Sequence, residues 1–300
     1  MGFLSYLISG ISLGSVYAII ALGYTMVYGI AKMLNFAHGD VIMIGGYISF
    51  CGMMYLGVNG WLALALAMVV CTILGILIEG LAYRPLRQAA SLAVLITAIG
   101  VSYFLQNSAL LIFGATPKVY QPLIPLMNAA GEPNALKLFG GQLSISYISL
   151  FTMLTCIVIM IALTWFTGHT KLGKAMRACS EDKDAARLMG ISVDKTISLT
   201  FAIGSALAAV AGVLLCSFNP TLMPTTGSMP GIRAFTAAVF GGIGSIPGAL
   251  LGGLLIGIIE AMAKAYISTQ LANSVVFAVL IIVLLVRPAG LLGKRMTEKV

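Results

Sequence analysis

The chain holds two histidines, His38 and His169, far apart in sequence, and no HExxH, GxSxG or calcium-loop pattern accompanies them. GHTKLGKA, residues 168–175, comes nearest to a phosphate-binding loop. It fits G-x-x-x-x-G-K but ends in Ala175, where such a loop needs a hydroxyl on magnesium, and an apolar run precedes it instead of a strand. It is rejected as a nucleotide site. The five cysteines (Cys51, Cys71, Cys156, Cys179 and Cys216) show no CxxC pairing. They read as free thiols used as small apolar residues, with no metal cluster suggested. Catalysis has no clustered side chains to rest on, so the chain does not read as an enzyme.

The remaining polar residues fall in a few places. LNFAHGD, residues 34–40, lies between two uncharged stretches and brings Asn35, His38 and Asp40 together. One reading is a simple connecting loop. The favoured one is a capped break in a discontinuous helix near the cytoplasmic mouth, permitted by Gly39, Gly45 and Gly46, with Asn35 and His38 lining the inner part of a pathway; Asp40 is then an N-cap carboxylate. Gln106 and Asn107 sit deep in an apolar run and either line the path or bond a neighbouring helix. Glu260 and Lys264 stand at i, i+4 in the favourable order and read as a self-satisfied pair near a helix end. Glu79, with Arg84 close by, is expected to snorkel to the interface. The spans lack a set of ionisable residues suited to ion coupling.

RACSEDKDAARLMGISVDK, residues 177–195, reads as a short helix at 181–189. Ser180 is the expected N-cap, Glu181 and Asp182 stand in the first turn, and Gly190 is the C′ residue. Asp184 and Arg187 pair at i, i+3, Ala185, Leu188 and Met189 offer apolar contacts, and Asp194 caps the following span. Such a helix is either a solvated connection or a docking knob.

The elements that must position these residues are apolar. The chain of 300 residues is 60% hydrophobic and 9% charged, against about 25% charged in soluble domains. Runs near 20 apolar residues read as membrane helices. They fall at 3–30, 41–57, 61–81, 91–113, 145–167, 196–217, 231–246, 248–266 and 271–286. The seventh is short and glycine-rich, a full span or a re-entrant one, and the first has room for a break. The fold class is an all-α polytopic membrane protein of eight to nine helices in one domain, 1–300. The N-terminus lacks the basic region of a cleavable signal and reads as the first span. A net charge of +8 is explained by topology, without nucleic acid. Loops 32–40, 82–90 and 168–195 and the tail from Arg287 hold 13 of the 17 Lys and Arg, which places them, and the C-terminus, in the cytoplasm. The loop 114–144 lies outside and reads as a proline-rich turn region. The run Gly244, Gly248, Gly252, joined by Gly253, Gly257, Gly10 and Gly14, lets helices approach closely, within this chain or against a second subunit.

The run EDKDAARLMGI resembles the coupling segment of ABC importer permeases, with Ser-Glu-Asp at 180–182 in place of a simple Glu-Ala-Ala. LGSVYAIIALGYTMVYGIAKMLNFAHGD (13–40), FAIGSALAAVAGVL (201–214) and FTAAVFGGIGSIPGALLGG (235–253) extend the likeness. Together they resemble the H-type permeases of high-affinity branched-chain amino acid importers, in a family that also serves urea and short amides. The resemblance runs from about residue 9 to Leu292 and implies the ABC importer permease fold in a bacterial inner membrane. It implies a second permease subunit in a heterodimer, two cytoplasmic ATPases that hold the ATP and magnesium, and a periplasmic amino-acid-binding protein; this chain binds no cofactor. Residues Glu181 to Gly190, with Glu181, Asp182, Ala185, Ala186 and Gly190 as the coupling set, would seat in the ATPase and drive alternating access. The competing readings are the same machine with another cargo, a stand-alone secondary transporter or channel, and a membrane-embedded enzyme.

Overall fold

The computed structural model describes residues 2–87, 89–127, 134–138 and 143–293. Eleven helices appear among them: α1 (Gly2–Ala31), α2 (His38–Tyr55), α3 (Gly60–Ile78), α4 (Ser91–Phe113), α5 (Tyr147–His169), α6 (Lys171–Glu181), α7 (Lys183–Leu188), α8 (Val193–Phe218), α9 (Ser228–Gly241), α10 (Ile246–Tyr266) and α11 (Ala272–Val286). α3 continues through a π-helical turn, Glu79–Tyr83, and a 3-10 turn, Arg84–Leu86. Six of these helices are long and apolar enough to cross a bilayer: α1, α3 with its two turns, α4, α5, α8 and α10. α2, α9 and α11 are shorter.

Length decides what each helix does. α1 has 30 residues, about 45 Å at the α-helical rise, so it overruns a hydrocarbon layer of about 30 Å. It runs unbroken, and its last turn meets α7, where Lys183 Nζ donates to the Ala31 carbonyl at 2.9 Å. α9 has only 14 residues, about 21 Å, and is a partial crossing that starts at Ser228 and ends at Gly241 rather than spanning 231–246.

α1, α8 and α10 form the centre. α8 is the most enclosed of the six long helices, with 83% of its apolar window buried. α10 uses both faces. A Cβ at Gly10 would stand 2.8 Å from Ile258 Cα, and one at Gly14 would stand 2.8 Å from Leu254 Cα, so α1 and α10 touch backbone to backbone. On its other side α10 lays Gly248 and Gly252 against Gly241 and Ala237 of α9. The glycine run therefore packs helices within this chain. Gly244 is the exception to the expected stripe: it lies outside α10, at φ +94° in the turn before it. Ser245 caps α10 by accepting from Gly248 N at 3.2 Å, with Pro247 just inside, so the helix starts too late to include Gly244.

The face carrying α6 and α7 gathers Lys32, Arg84, Arg87, Lys183 and Asp194. The opposite face carries two short antiparallel pairs, β1 (Lys118–Val119) with β4 (Thr221–Leu222) and β2 (Ala135–Leu138) with β3 (Leu143–Ser146). The loop expected at 114–144 is thus partly strand. Pro133 and the basic tail beyond Gly293 lie outside the described residues.

Gly14→Leu should lower the unfolding midpoint of the detergent-solubilised protein, at a cost of about 3 kcal/mol from overpacking. Gly100→Leu, where nothing lies within 4 Å of an added Cβ, should leave the midpoint in place. Equal effects in a thermal melt would contradict the packing.

Candidate functional site

The connection between α5 and α8 folds as an elbow of two short helices. Thr170 opens α6 by accepting from Gly173 N at 2.9 Å, so the GHTKLGKA segment is a helix junction and not a phosphate cradle. α6 then runs past Ser180 to Glu181. Ser180 does not cap the next helix; its hydroxyl donates to the Arg177 carbonyl at 2.7 Å. The cap is Asp182, whose Oδ1 accepts from Asp184 N at 2.8 Å and Ala185 N at 3.0 Å, worth about 1 kcal/mol. α7 ends in a Schellman motif: Ile191 N donates to Ala186 O at 3.0 Å and Gly190 N to Arg187 O at 2.9 Å. Gly190 takes φ +80°, the left-handed conformation that a Cβ penalises.

α7 is therefore a six-residue peg closed at both ends. Asp182, Ala185 and Gly190 are exposed at it, and Glu181, the last residue of α6, is exposed just before it, with Leu188 and Met189 at 90% and 82% exposure. Ala186 turns inward and is buried, so it supports the peg and does not belong to its outer face. Asp184 and Arg187 pair at 3.2 Å in the open.

Behind the peg lies an ionic cluster. Asp194 does not cap α8; its carboxylate is held by Arg84 at 2.8 Å and by Arg87. Arg87 also binds Glu79, and Ser198 of α8 donates to Glu79 Oε2 at 2.6 Å. Glu79 is 1% exposed, so it is buried and paired and does not snorkel. Lys183, half-buried on α7, is held below the usual lysine range by burial and by the nearby Arg87 and Lys32 charges.

The LNFAHGD segment breaks the chain between α1 and α2. The turn is made by Lys32 at φ +57°, and no side chain caps α2, so Asp40 is not its N-cap. Gly39 and Gly45 serve close packing instead: a Cβ at Gly39 would stand 2.8 Å from Gly227 O, and one at Gly45 would stand 2.7 Å from Ala209 Cα. The break is deep. Asp40, buried in the first turn of α2, accepts from Gln106 Nε2 at 2.8 Å. Gln106 stands fifteen residues into α4, about 22 Å along it. The same amide reaches Ser228 Oγ at 3.2 Å, so the starts of α2 and α9 meet at one node. Gln106 thus bonds neighbouring helices, while Asn107 turns back to the Tyr103 carbonyl at 2.8 Å.

Below the node opens a narrow crevice lined by Tyr24, Tyr28, Leu34, Asn35, His38 and Phe235. His38 is buried, its ring 4.6 Å from that of Tyr24, and its Nε2 has no hydrogen-bond partner among the described residues. A Cβ on Gly23 would stand 2.5 Å from that nitrogen, so α1 admits the imidazole only because residue 23 is glycine. Asn35 Oδ1 accepts from the Tyr83 hydroxyl at 2.8 Å. Irregular backbone at this depth survives because protein encloses it.

A second charged cluster ties α1, α9, α10 and α11 together. Glu260 pairs with Lys264 at 2.6 Å and also with Arg233 at 2.9 Å, and Tyr17 donates to it at 2.8 Å. Arg233 reaches Tyr17 at 2.8 Å and Asn273 at 2.5 Å. The expected self-satisfied pair is part of a larger network with a fully buried carboxylate. Tyr83, Arg87, Arg233 and Ser228 escaped sequence reasoning, since their partners lie 8 to 216 residues away at no helical spacing.

The family model described as "Branched-chain amino acid transport system / permease component" matches residues 6–286. The chain is 47% identical to the high-affinity branched-chain amino acid transport system permease protein LivH of Escherichia coli (strain K12), over 99% of this chain and 98% of that one. It is 45% identical to the corresponding permease protein BraD of Pseudomonas aeruginosa, again over 99% and 98%. A probable branched-chain amino acid transport permease protein of Methanocaldococcus jannaschii is 32% identical over 78% of this chain and 72% of its own.

Glu79→Ala should destabilise the protein by about 2 kcal/mol, because Arg87 keeps only Asp194 and the Ser198 hydroxyl loses its charged acceptor. Asp184→Ala, which breaks an exposed pair, should be silent within about 0.5 kcal/mol. Denaturant unfolding of both variants checks this, and similar losses would contradict it.

Proposed function

This chain belongs to the branched-chain amino acid transport permease family, and we propose that it is a permease subunit of an ATP-driven importer that moves leucine, isoleucine and valine into the cytoplasm. Its relatives are named as transport permease proteins, so it is a multi-pass membrane transport permease and not an enzyme. In this reading a periplasmic binding protein delivers the amino acid. A second permease subunit completes the membrane unit, and two ATPase subunits carry the ATP and magnesium, with no cofactor on this chain. The membrane is a bacterial inner membrane, and the C-terminus and the α6–α7 face are cytoplasmic.

The observation that carries the reading is the peg. Its six residues are closed by an aspartate cap at one end and a Schellman motif at the other. It presents Leu188 and Met189 almost fully exposed, beside four cations on the face that the charge bias assigns to the cytoplasm. Glu181 at the end of α6 and Asp182, Ala185 and Gly190 at the peg are exposed with them, which suits a groove in a cytoplasmic ATPase. The crevice supports the transport half of the proposal. Asn35 and His38 border it, and Asp40 and Gln106 roof it, where α2 and α9 both start within the membrane. Helix starts at this depth suit a cargo site, since transporters bind substrate near the membrane midplane at discontinuous helices.

Leucine uptake by the complete importer tests both halves. Gly190→Pro forces a φ that proline cannot adopt, at more than about 1 kcal/mol, and should abolish uptake while the chain still inserts; Glu181→Lys should do the same. His38→Ala should lower uptake with the ATPases still bound. Normal uptake in the peg variants would remove the coupling role, and release of the ATPases by His38→Ala would make His38 part of the docking structure.

A further inference from the structure

The π-helical turn Glu79–Tyr83 touches the ionic cluster at one end and the crevice residue Asn35 at the other. We propose that Tyr83 is the positioning residue that ties the inner crevice to the coupling face; the proposal rests on the transport reading above.

Three observations carry it. First, Tyr83 is fully buried and makes one polar contact across the fold, its hydroxyl donating to Asn35 Oδ1 at 2.8 Å. Asn35 lines the crevice, so the Tyr83 side chain sets the position of a crevice wall. Second, Tyr83 closes a π-helical turn, with Arg84 N donating to Glu79 O. Such a turn is less stable than an α-helical one and is found mostly at functional positions. It leaves the two ends of one turn on different duties: Glu79 engages the ionic cluster and Tyr83 engages the break, its ring 5.2 Å from Phe201 of α8. Third, the cluster abuts the peg. Arg87 holds Glu79 and Asp194 and repels the Lys183 ammonium, while Lys183 grips the end of α1 through Ala31 O.

A displacement of α7 therefore changes the repulsion on Arg87. Arg87 is bonded to the first residue of the π turn, and the last residue of that turn holds Asn35. The link from Lys183 to Arg87 is charge repulsion across space, and from Arg87 to the crevice it runs through the π turn and its bonds. Continuity alone does not demonstrate coupling, so the test measures coupling directly.

The complete importer is reconstituted in liposomes with Tyr83→Phe, Asn35→Leu or both, and leucine imported per ATP hydrolysed is measured. Co-purification of the subunits reports assembly. Tyr83→Phe should leave assembly and binding-protein-stimulated hydrolysis close to normal while import per ATP falls about tenfold, the scale of one lost buried hydrogen bond. Asn35→Leu should lower it as well, and the double variant should be no worse than the weaker single one, because both remove the same contact. Import and hydrolysis falling in equal proportion would make Tyr83 merely structural and overturn the proposal. Unchanged import, or additive losses in the double variant, would overturn it too. Failure of the unmodified importer to take up leucine with ATP would overturn the functional reading, and this inference with it, before any variant is compared.

Discussion

A helix broken inside hydrocarbon persists only if protein takes up the polar groups that the break sets free. That constraint organises this molecule. The segment between Ala31 and His38 leaves the α7 face at the exposed Lys32 and runs inward to the buried start of α2, and the surrounding elements answer it. α3 gives up α-helical regularity to bring Tyr83 to Asn35. α4 supplies the Gln106 amide to Asp40. α1 carries a glycine at 23 where the His38 ring must fit. α9 stops short of a full span and starts beside the start of α2. The central α1–α8–α10 packing supports this enclosure, since the glycine contacts between α1 and α10 let the backbones approach closely.

The ionisable groups obey the same rule. Asp40, Glu79 and Glu260 are all buried, and each has partners on other helices. This is the economy expected of structural charges: a carboxylate in a low-dielectric interior is tolerable only when bonded. These groups therefore brace helix junctions, and none is left as an open relay of the kind a proton- or sodium-coupled carrier would use.

Much of this was legible in the sequence, and the exceptions share a cause. The apolar runs placed the helices to within a few residues, and Gly190 marked the end of the peg because only one residue type suits that conformation. The Glu260–Lys264 pair was visible because four residues make one helical step. Ser180 and Asp182 were both good caps, and the choice between them depended on how far α6 continued, which is a packing question. Gly244 fitted a four-residue spacing, but Ser245 and Pro247 carried the stronger signal for a helix start after it. Asp40 with Gln106, Glu79 with Arg87 and Asp194, and Tyr83 with Asn35 join residues from different helices. No periodicity encodes them, because they exist only once the helices have packed.

The account stands or falls on whether the membrane domain moves its cargo by itself. The direct measurement is leucine uptake by liposomes holding the tagged chain together with whatever co-purifies with it in mild detergent, with and without ATP, alongside mass spectrometry of the preparation. The account predicts two ATPases and a second permease in the preparation and uptake only when ATP is present. A preparation of this chain alone that takes up leucine without ATP would contradict it.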